Sequence, residues 1–165
     1  MIGKVDIVRI KMKKVGAVLY GTGTKRKLKI TKPRDVVKMT SSLFDGADKE
    51  MVYVCVLDGN MKPINISLVS IGSMSSCTIH LAEIFKTAIL SNCPNIICIH
   101  NHPSGSVEPS DEDRIATLKM QYVGKLMGIK LQDHIIVGEN GNYYSFQKDG
   151  IIGNAEWLIE TELAS

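Results

Sequence analysis

His100 and His102 stand two residues apart at the end of a short apolar run, Ile96-Ile97-Cys98-Ile99, and Ser110 and Asp113 follow soon after. Pro94 on one side and Pro103-Ser104-Gly105 on the other mark the run as a buried strand feeding a loop. Alternate side chains of a strand share a face. Two imidazoles would therefore emerge side by side at a sheet edge, an arrangement suited to a divalent metal. Two histidines and one carboxylate, Asp113, are the ligand set of a catalytic zinc that keeps a fourth position open for water. Ser110 and Asp113 also carry the Ser-x-x-acid pattern of a helix start, in which serine and acid cap the first turn reciprocally. Asp111, Glu112 and Asp113 would favour the positive end of that helix. A first-turn aspartate can cap a helix and face a metal at once, so both readings stand.

The spacing also resembles a known signature. His-x-His, then Pro103 to Pro109, Ser110, two residues and Asp113 is similar to the JAMM motif of the JAB/MPN metallopeptidase fold. The form His-Asn-His-Pro-Ser-Gly followed by Pro-Ser-x-x-Asp resembles the RadC family in particular, and the resemblance spans nearly the whole chain. It implies a cytidine-deaminase-like MPN architecture and a zinc-dependent peptidase or isopeptidase, with one Zn2+ per chain on His100, His102 and Asp113. JAMM enzymes use an upstream glutamate as general base on the zinc-bound water. Glu50, just before a strand that ends at Asp58, resembles that glutamate. By the same resemblance Ser110 would hydrogen-bond the developing oxyanion. The chain departs from the family pattern at His80-Leu81-Ala82-Glu83, where RadC-like chains often have histidine followed by Pro-Arg-Glu. Ser106 stands where aspartate is common, and Val107-Glu108 replaces Pro-Thr. These changes leave the ligands intact and bear on substrate preference. Asp133 to Val137 resembles the matching strand of RadC-like proteins. Its His134 reads as a strand histidine satisfied by a neighbour, with a supporting role beside the metal as the alternative.

The chain has 165 residues and is 44% hydrophobic, enough for one domain with a real core. No apolar run approaches the ~20 residues of a membrane span, and no apolar signal segment opens the sequence, so a cytoplasmic protein without a membrane partner is expected. The four cysteines, Cys55, Cys77, Cys93 and Cys98, form no C-x-x-C pair and read as buried free thiols. A structural zinc on Cys93, Cys98, His100 and His102 is the rival reading; Cys98 shares His100's strand face, but Cys93 lies at the strand's far end.

Charge is lopsided. Residues 1–38 hold 12 of the 20 Lys+Arg and 2 of the 17 Asp+Glu, a balance of +10, so the rest carries −7 within a net +3. Arg9, Lys11 and Lys13 alternate with Val8, Ile10 and Met12, which would give a strand one basic face. Lys25, Arg26 and Lys27 follow a Gly21–Thr24 turn. These six could contact nucleic acid or an acidic protein, or simply protect a sheet edge. Few aromatics accompany them, so base stacking is not supported.

The remaining pattern gives a helix from Thr31 as cap, carrying Val36, Val37, Leu43 and Phe44 on its apolar side. A hairpin follows, Met51 to Leu57 and Ile64 to Val69 about Asp58-Gly59-Asn60, placed in the central sheet. A loop over Gly72 to Ser76 leads to a second helix, Thr78 to Leu90, with Ile79, Ala82, Phe85, Ala88 and Ile89 as its stripe. The helix through Asp113 has Ile115, Leu118, Tyr122, Val123, Leu126 and Met127 as its stripe and Gly128 as its stop. A strand from Ile129 to Val137, a turn at Gly138–Asn142 and a strand to Phe146 complete the core, and Trp157 sits in a tail that reads as a short helix. The sum is an α/β (α+β) fold, a single layered domain with a mixed β-sheet flanked by helices. Within residues 1–165, the stretch 1–48 is a basic strand and helix region, 49–150 the metal-site core and 151–165 a C-terminal tail. A peptide or protein substrate is the expected partner. A nucleic-acid-binding factor of repair or mobile-element biology is the alternative, although a helix-hairpin-helix region like that of longer RadC proteins finds no room here. A non-catalytic MPN interaction module is the third reading, and the filled ligand set argues against it.

Overall fold

A computed structural model describes residues 9, 11–18, 29–72 and 80–153. Five strands, β1 (Met51–Leu57), β2 (Pro63–Ile71), β3 (Asn95–Asn101), β4 (Lys130–Val137) and β5 (Tyr143–Ser145), form one mixed sheet in the order β2-β1-β3-β4-β5. β1 runs antiparallel to β2 and β3, β3 parallel to β4, and β4 antiparallel to β5. A parallel step needs a crossover, and the helix α3 (Asp111–Met127) provides it. The helices α1 (Pro33–Thr40) and α2 (Leu81–Ser91) complete the layers.

β3 is the middle strand, and all its residues are buried. That is why its sequence is a continuous apolar run rather than an alternation. Ile97 and Ile99 pack on one face with Val36, Val37 and Met39 of α1 and with Cys55 and Leu57 of β1. Ile96 and Cys98 pack on the other with Val54, Val56, Ile84, Phe85, Ala88 and Met120. His100 continues the second face by alternation. A register shift between Ile96 and Ile97 leaves Gln132 as an extra residue in β4. Beyond this bulge Leu131 and Ile135 belong to opposite faces, and His134 comes out on the face of His100.

The expected hairpin is present in the central sheet, with β2 as the sheet's edge, and Ile64, Leu68 and Ile71 stay exposed on it. α1 is capped differently from the expectation. The Asp35 carboxylate accepts from the Thr31 and Lys32 N–H groups and the Thr31 hydroxyl, so Thr31 donates and Lys32 is the cap. Leu43 ends a 3-10 turn (Ser41–Leu43) and Phe44 follows it, edge-on to Tyr53 at 5.4 Å. On α2 the buried face is Ile84, Phe85 and Ala88, while Ala82 and Ile89 face outward.

The largest departure is the rotation of α3. Its buried face is Asp113, Ala116, Thr117, Met120 and Gly124, while Ile115 (51%), Leu126 (69%) and Met127 (43%) are exposed. Of the apolar stripe read from periodicity, Val123 packs against the core and Leu118 and Tyr122 are half-buried, while the rest faces out. Two polar groups one turn apart, Asp113 and Thr117, have partners under the helix, and small residues bring it close. A Cβ on Gly124 would lie 2.4 Å from the Ile129 carbonyl oxygen. Gly128 ends the helix in the left-handed region, as expected.

Arg9 and residues 11–18 carry no regular secondary structure, so the strand expected there is not found at the described positions; Arg9, Lys11 and Lys13 are exposed. Lys25, Arg26, Lys27, the Gly21–Thr24 turn, Cys77, Ile79, most of the Gly72–Ser76 loop and the tail with Trp157 lie outside the described residues. Among the described residues, no helix is long and apolar enough to cross a membrane.

Candidate metal centre

Where β3 ends and α3 begins, four side chains converge. Glu50, His100, His102 and Asp113 each offer one ligand atom, all within 4.8 Å of one another. The Nε2 atoms of His100 and His102 are 3.1 Å apart. His100 Nε2 is 3.1 Å from Asp113 Oδ1, and His102 Nε2 is 3.3 Å from Asp113 Oδ2. Ligands bonded to one tetrahedral ion at about 2.0–2.1 Å would be separated by about 3.3 Å, so the spacing fits a shared cation.

The outer nitrogens of the two imidazoles show how these atoms could take one. Hydrogen-bond partners assign the ring protons here. His102 Nδ1 lies 3.1 Å from the Ser106 carbonyl, which can only accept, so the nitrogen carries the proton and Nε2 is bare when the ring is neutral. His100 Nδ1 is 2.9 Å from His134 Nε2. Asp113 Oδ1 is buried without a hydrogen-bond partner. Burial pushes the Asp113 carboxyl up, but the imidazoles of His100 and His102 and the Ser110 hydroxyl outweigh it and hold the group well below the usual carboxylate range. Contact with Asp113 raises the His102 pKa against the opposing effect of burial. Protons and a metal would thus compete for one electron-rich point.

Ser110 and Asp113 form the expected capping box. Asp113 N–H donates to Ser110 Oγ at 3.1 Å, and Asp113 Oδ2 accepts from Ser110 N–H at 2.8 Å and from Ser110 Oγ at 2.7 Å. The Ser110 hydroxyl proton is therefore directed at Asp113, and presenting it to a substrate would require the hydroxyl to turn. Capping and convergence on the histidines coexist in one carboxylate.

Glu50 precedes β1, with Oε1 3.9 Å from His100 Nε2. That is longer than a shared-ligand distance of about 3.3 Å and suits a group one water away. Asn101, between the two histidines and buried, ties down the residues on either side of Glu50. Its side-chain oxygen accepts from Met51 N–H at 2.8 Å and its amide donates to the Lys49 carbonyl at 3.2 Å, bracketing Glu50. Sequence reading passed over Asn101, although its place inside the His-x-His pair was a signal.

His134 lies against the cluster without belonging to it. It is fully buried, bonded to His100, and stacked on Phe146 at 4.7 Å and 13°. Its Nδ1 is 2.7 Å from Thr117 Oγ1, which is 2.7 Å from the Asp113 carbonyl. Burial, with His100 and His102 beside it, holds His134 well below its ordinary pKa.

A groove of about 490 Å³ opens beside His102, between the Ser41–Ala47 turn, the Asn101–Gly105 loop and Val137–Gly141. Asp45 and Glu139 are its charged lining residues besides His102, and no lysine or arginine lines it. A Cβ on Gly138 would meet Val107 Cγ1 at 2.5 Å, so a glycine is what lets the loop after β4 close on the metal-site loop.

Neither cysteine of the rival zinc set joins the cluster. Cys98 packs in the apolar core, where burial pushes its thiol up to about 12. Cys55, Cys93 and Cys98 are free thiols. His80 is exposed at the start of α2 and stands apart from the cluster.

Comparison with known proteins agrees with this geometry. A family model described as the RadC-like JAB domain matches residues 30–151, which include all four convergent residues. A UPF0758 protein of Methanosarcina barkeri is 39% identical over 126 residues, 76% of this chain and 55% of that protein. One from Clostridium acetobutylicum is 38% identical over 125 residues, 76% of this chain and 54% of the relative. One from Staphylococcus haemolyticus is 36% identical over 136 residues, 82% of this chain and 59% of the relative. The chain spans about half the length of the curated relatives it matches.

Proposed function

The chain belongs to the RadC-like JAB domain family, and from that premise we propose that it is a zinc-dependent hydrolase of the JAMM type that cleaves a peptide or isopeptide bond. What supports this reading is the convergence of two imidazole nitrogens and a buried, otherwise unpartnered carboxylate oxygen on one point.

His100, His102 and Asp113 would hold the ion. When bound, it supplies a Lewis acid for the scissile carbonyl and lowers the pKa of a water to about 7. Glu50, with Oε1 3.9 Å from His100 Nε2 and its neighbours tied to Asn101, would accept the proton of the attacking water and pass it to the leaving amine. Ser110 orients Asp113, and turning its hydroxyl outward would give the oxyanion a donor. The groove beside His102 receives the substrate chain, and its volume falls within the range of about 300–1,000 Å³ usual for ligand clefts. With Asp45 and Glu139 as its carboxylates, it favours substrates without negative charge at that position.

The test is cleavage of a peptide and isopeptide panel by the full chain loaded with zinc, beside Glu50→Gln. The variant should keep its zinc and lose ~10²–10⁴-fold in turnover. Zinc-loaded protein that cleaves nothing in a metal-dependent way would remove the hydrolase reading, and a Glu50→Gln variant as active as the parent would remove Glu50 as its base.

A further inference from the structure

We infer that Thr117 and His134 are positioning residues that fix the tautomer of His100, so that its Nε2 always faces the metal point without a proton. The inference rests on the metal reading of the site and adds two residues that touch neither metal nor substrate.

The chain of bonds has one possible polarity for neutral rings. Thr117 Oγ1 is 2.7 Å from the Asp113 carbonyl oxygen. Two oxygens that close must share a hydrogen, and a carbonyl has none to give, so the hydroxyl donates there. A threonine hydroxyl has one hydrogen. Towards His134 Nδ1, 2.7 Å away, Oγ1 can therefore only accept, and Nδ1 carries the ring proton. His134 Nε2 is left with its lone pair towards His100 Nδ1 at 2.9 Å, so His100 Nδ1 is the donor. The His100 proton is thereby placed away from the cluster, and Nε2 faces Asp113 Oδ1 bare.

The fold makes this chain rigid. His134 is sealed from solvent, stacked on Phe146 and bonded at both ring nitrogens. Thr117 sits one helical turn after Asp113 and takes its polarity from the carbonyl of that ligand residue. The same first turns of α3 therefore hold one metal-facing group directly and orient a second through two hydrogen bonds. Partners of this kind commonly change metal affinity 10–100-fold when removed.

Long-range proton–nitrogen NMR of the full chain, metal-free and zinc-loaded, reads the tautomers without any activity assay. His100 and His134 should both carry the proton on Nδ1 in each form. Thr117→Val keeps the shape but removes the hydroxyl. It should release His134 from a single tautomer and weaken zinc binding, measured by chelator competition, by roughly 10–100-fold. Thr117→Ser should restore both readouts to within a few-fold, which a purely steric role for the threonine would not require. His100 protonated on Nε2 in the metal-free parent, a doubly protonated His134, or unchanged zinc affinity in Thr117→Val would overturn the inference. A parent that binds no zinc would instead sink the metal reading, while its NMR spectrum still tests the tautomers.

Discussion

Asn101→Ala separates the placement of Glu50 from the binding of the metal. The side chain makes two bonds, 2.8 Å to Met51 N–H and 3.2 Å to the Lys49 carbonyl. Each contributes a net ~0.5–1.5 kcal/mol, so removing both should cost about 2 kcal/mol of stability. His100, His102 and Asp113 are held by β3 and the start of α3, and none of them bonds Asn101. Zinc affinity should therefore stay within a few-fold of the parent. The residues on either side of Glu50 lose these ties while Gly72 N–H still donates to the Glu50 carbonyl at 2.8 Å, and a misplacement of about 1 Å in a catalytic group commonly costs ~10²-fold in rate. Urea unfolding should show a lower midpoint at an unchanged slope, with chelator competition and turnover measured on the same preparation. Asn101→Asp should do no better than the alanine variant, because it sets a carboxylate oxygen against the Lys49 carbonyl. Parental stability and turnover in Asn101→Ala would refute the bracketing role, and zinc loss as severe as in His100→Ala would mean that Asn101 supports the ligands instead.

Two further outcomes are independent of substrate. Asp133 is buried between Ser145 and Gln147, and desolvation pushes its carboxyl up from 3.8 to about 6 despite their hydrogen bonds. The folded chain thus keeps a proton that the unfolded chain releases between about pH 4 and pH 6, so stability should fall by ~3 kcal/mol as pH rises through that window and level off above it. Asp133→Asn keeps an acceptor for Gln147 N–H and should flatten the urea midpoint between pH 4.5 and 7.5; an unchanged pH slope would deny Asp133 that role. Ser110→Ala removes one side of the capping box and should cost ~1 kcal/mol by thermal unfolding while zinc stays bound. Loss of zinc in Ser110→Ala would make the hydroxyl's hold on Asp113 part of the metal site.

Much of the site was legible because its spacing is local. His100 and His102 share a strand end, and Ser110 and Asp113 share a helix start, so periodicity and capping chemistry placed all four. What escaped depends on partners far away in the sequence. His134 reaches the face of His100 through a strand pairing with a bulge at Gln132, and nothing in its neighbours' polarity announces that. Asn101 gives no signal of its role in the local pattern because its two bonds run back some fifty residues, to Lys49 and Met51. On α3 hydrophobic periodicity placed the inner face some way round the helix from where it lies, since Asp113 and Thr117 turn inward to partners and leave Ile115 and Leu126 outside while Val123 still packs. A helix whose inner face carries a site breaks the rule that apolar residues point in.

The central claim is that His100, His102 and Asp113 hold one ion. Its most direct test is metal content, by elemental analysis of the chain purified without chelator or nickel column, for the parent and for His100→Ala, His102→Ala, Asp113→Ala and Asp111→Ala. The parent should carry close to one equivalent of zinc, the three ligand variants little, and Asp111→Ala, exposed on the same first turn, as much as the parent. A parent with less than about a tenth of an equivalent, or an Asp113→Ala variant that keeps its zinc and loses only stability, would contradict the three-ligand site.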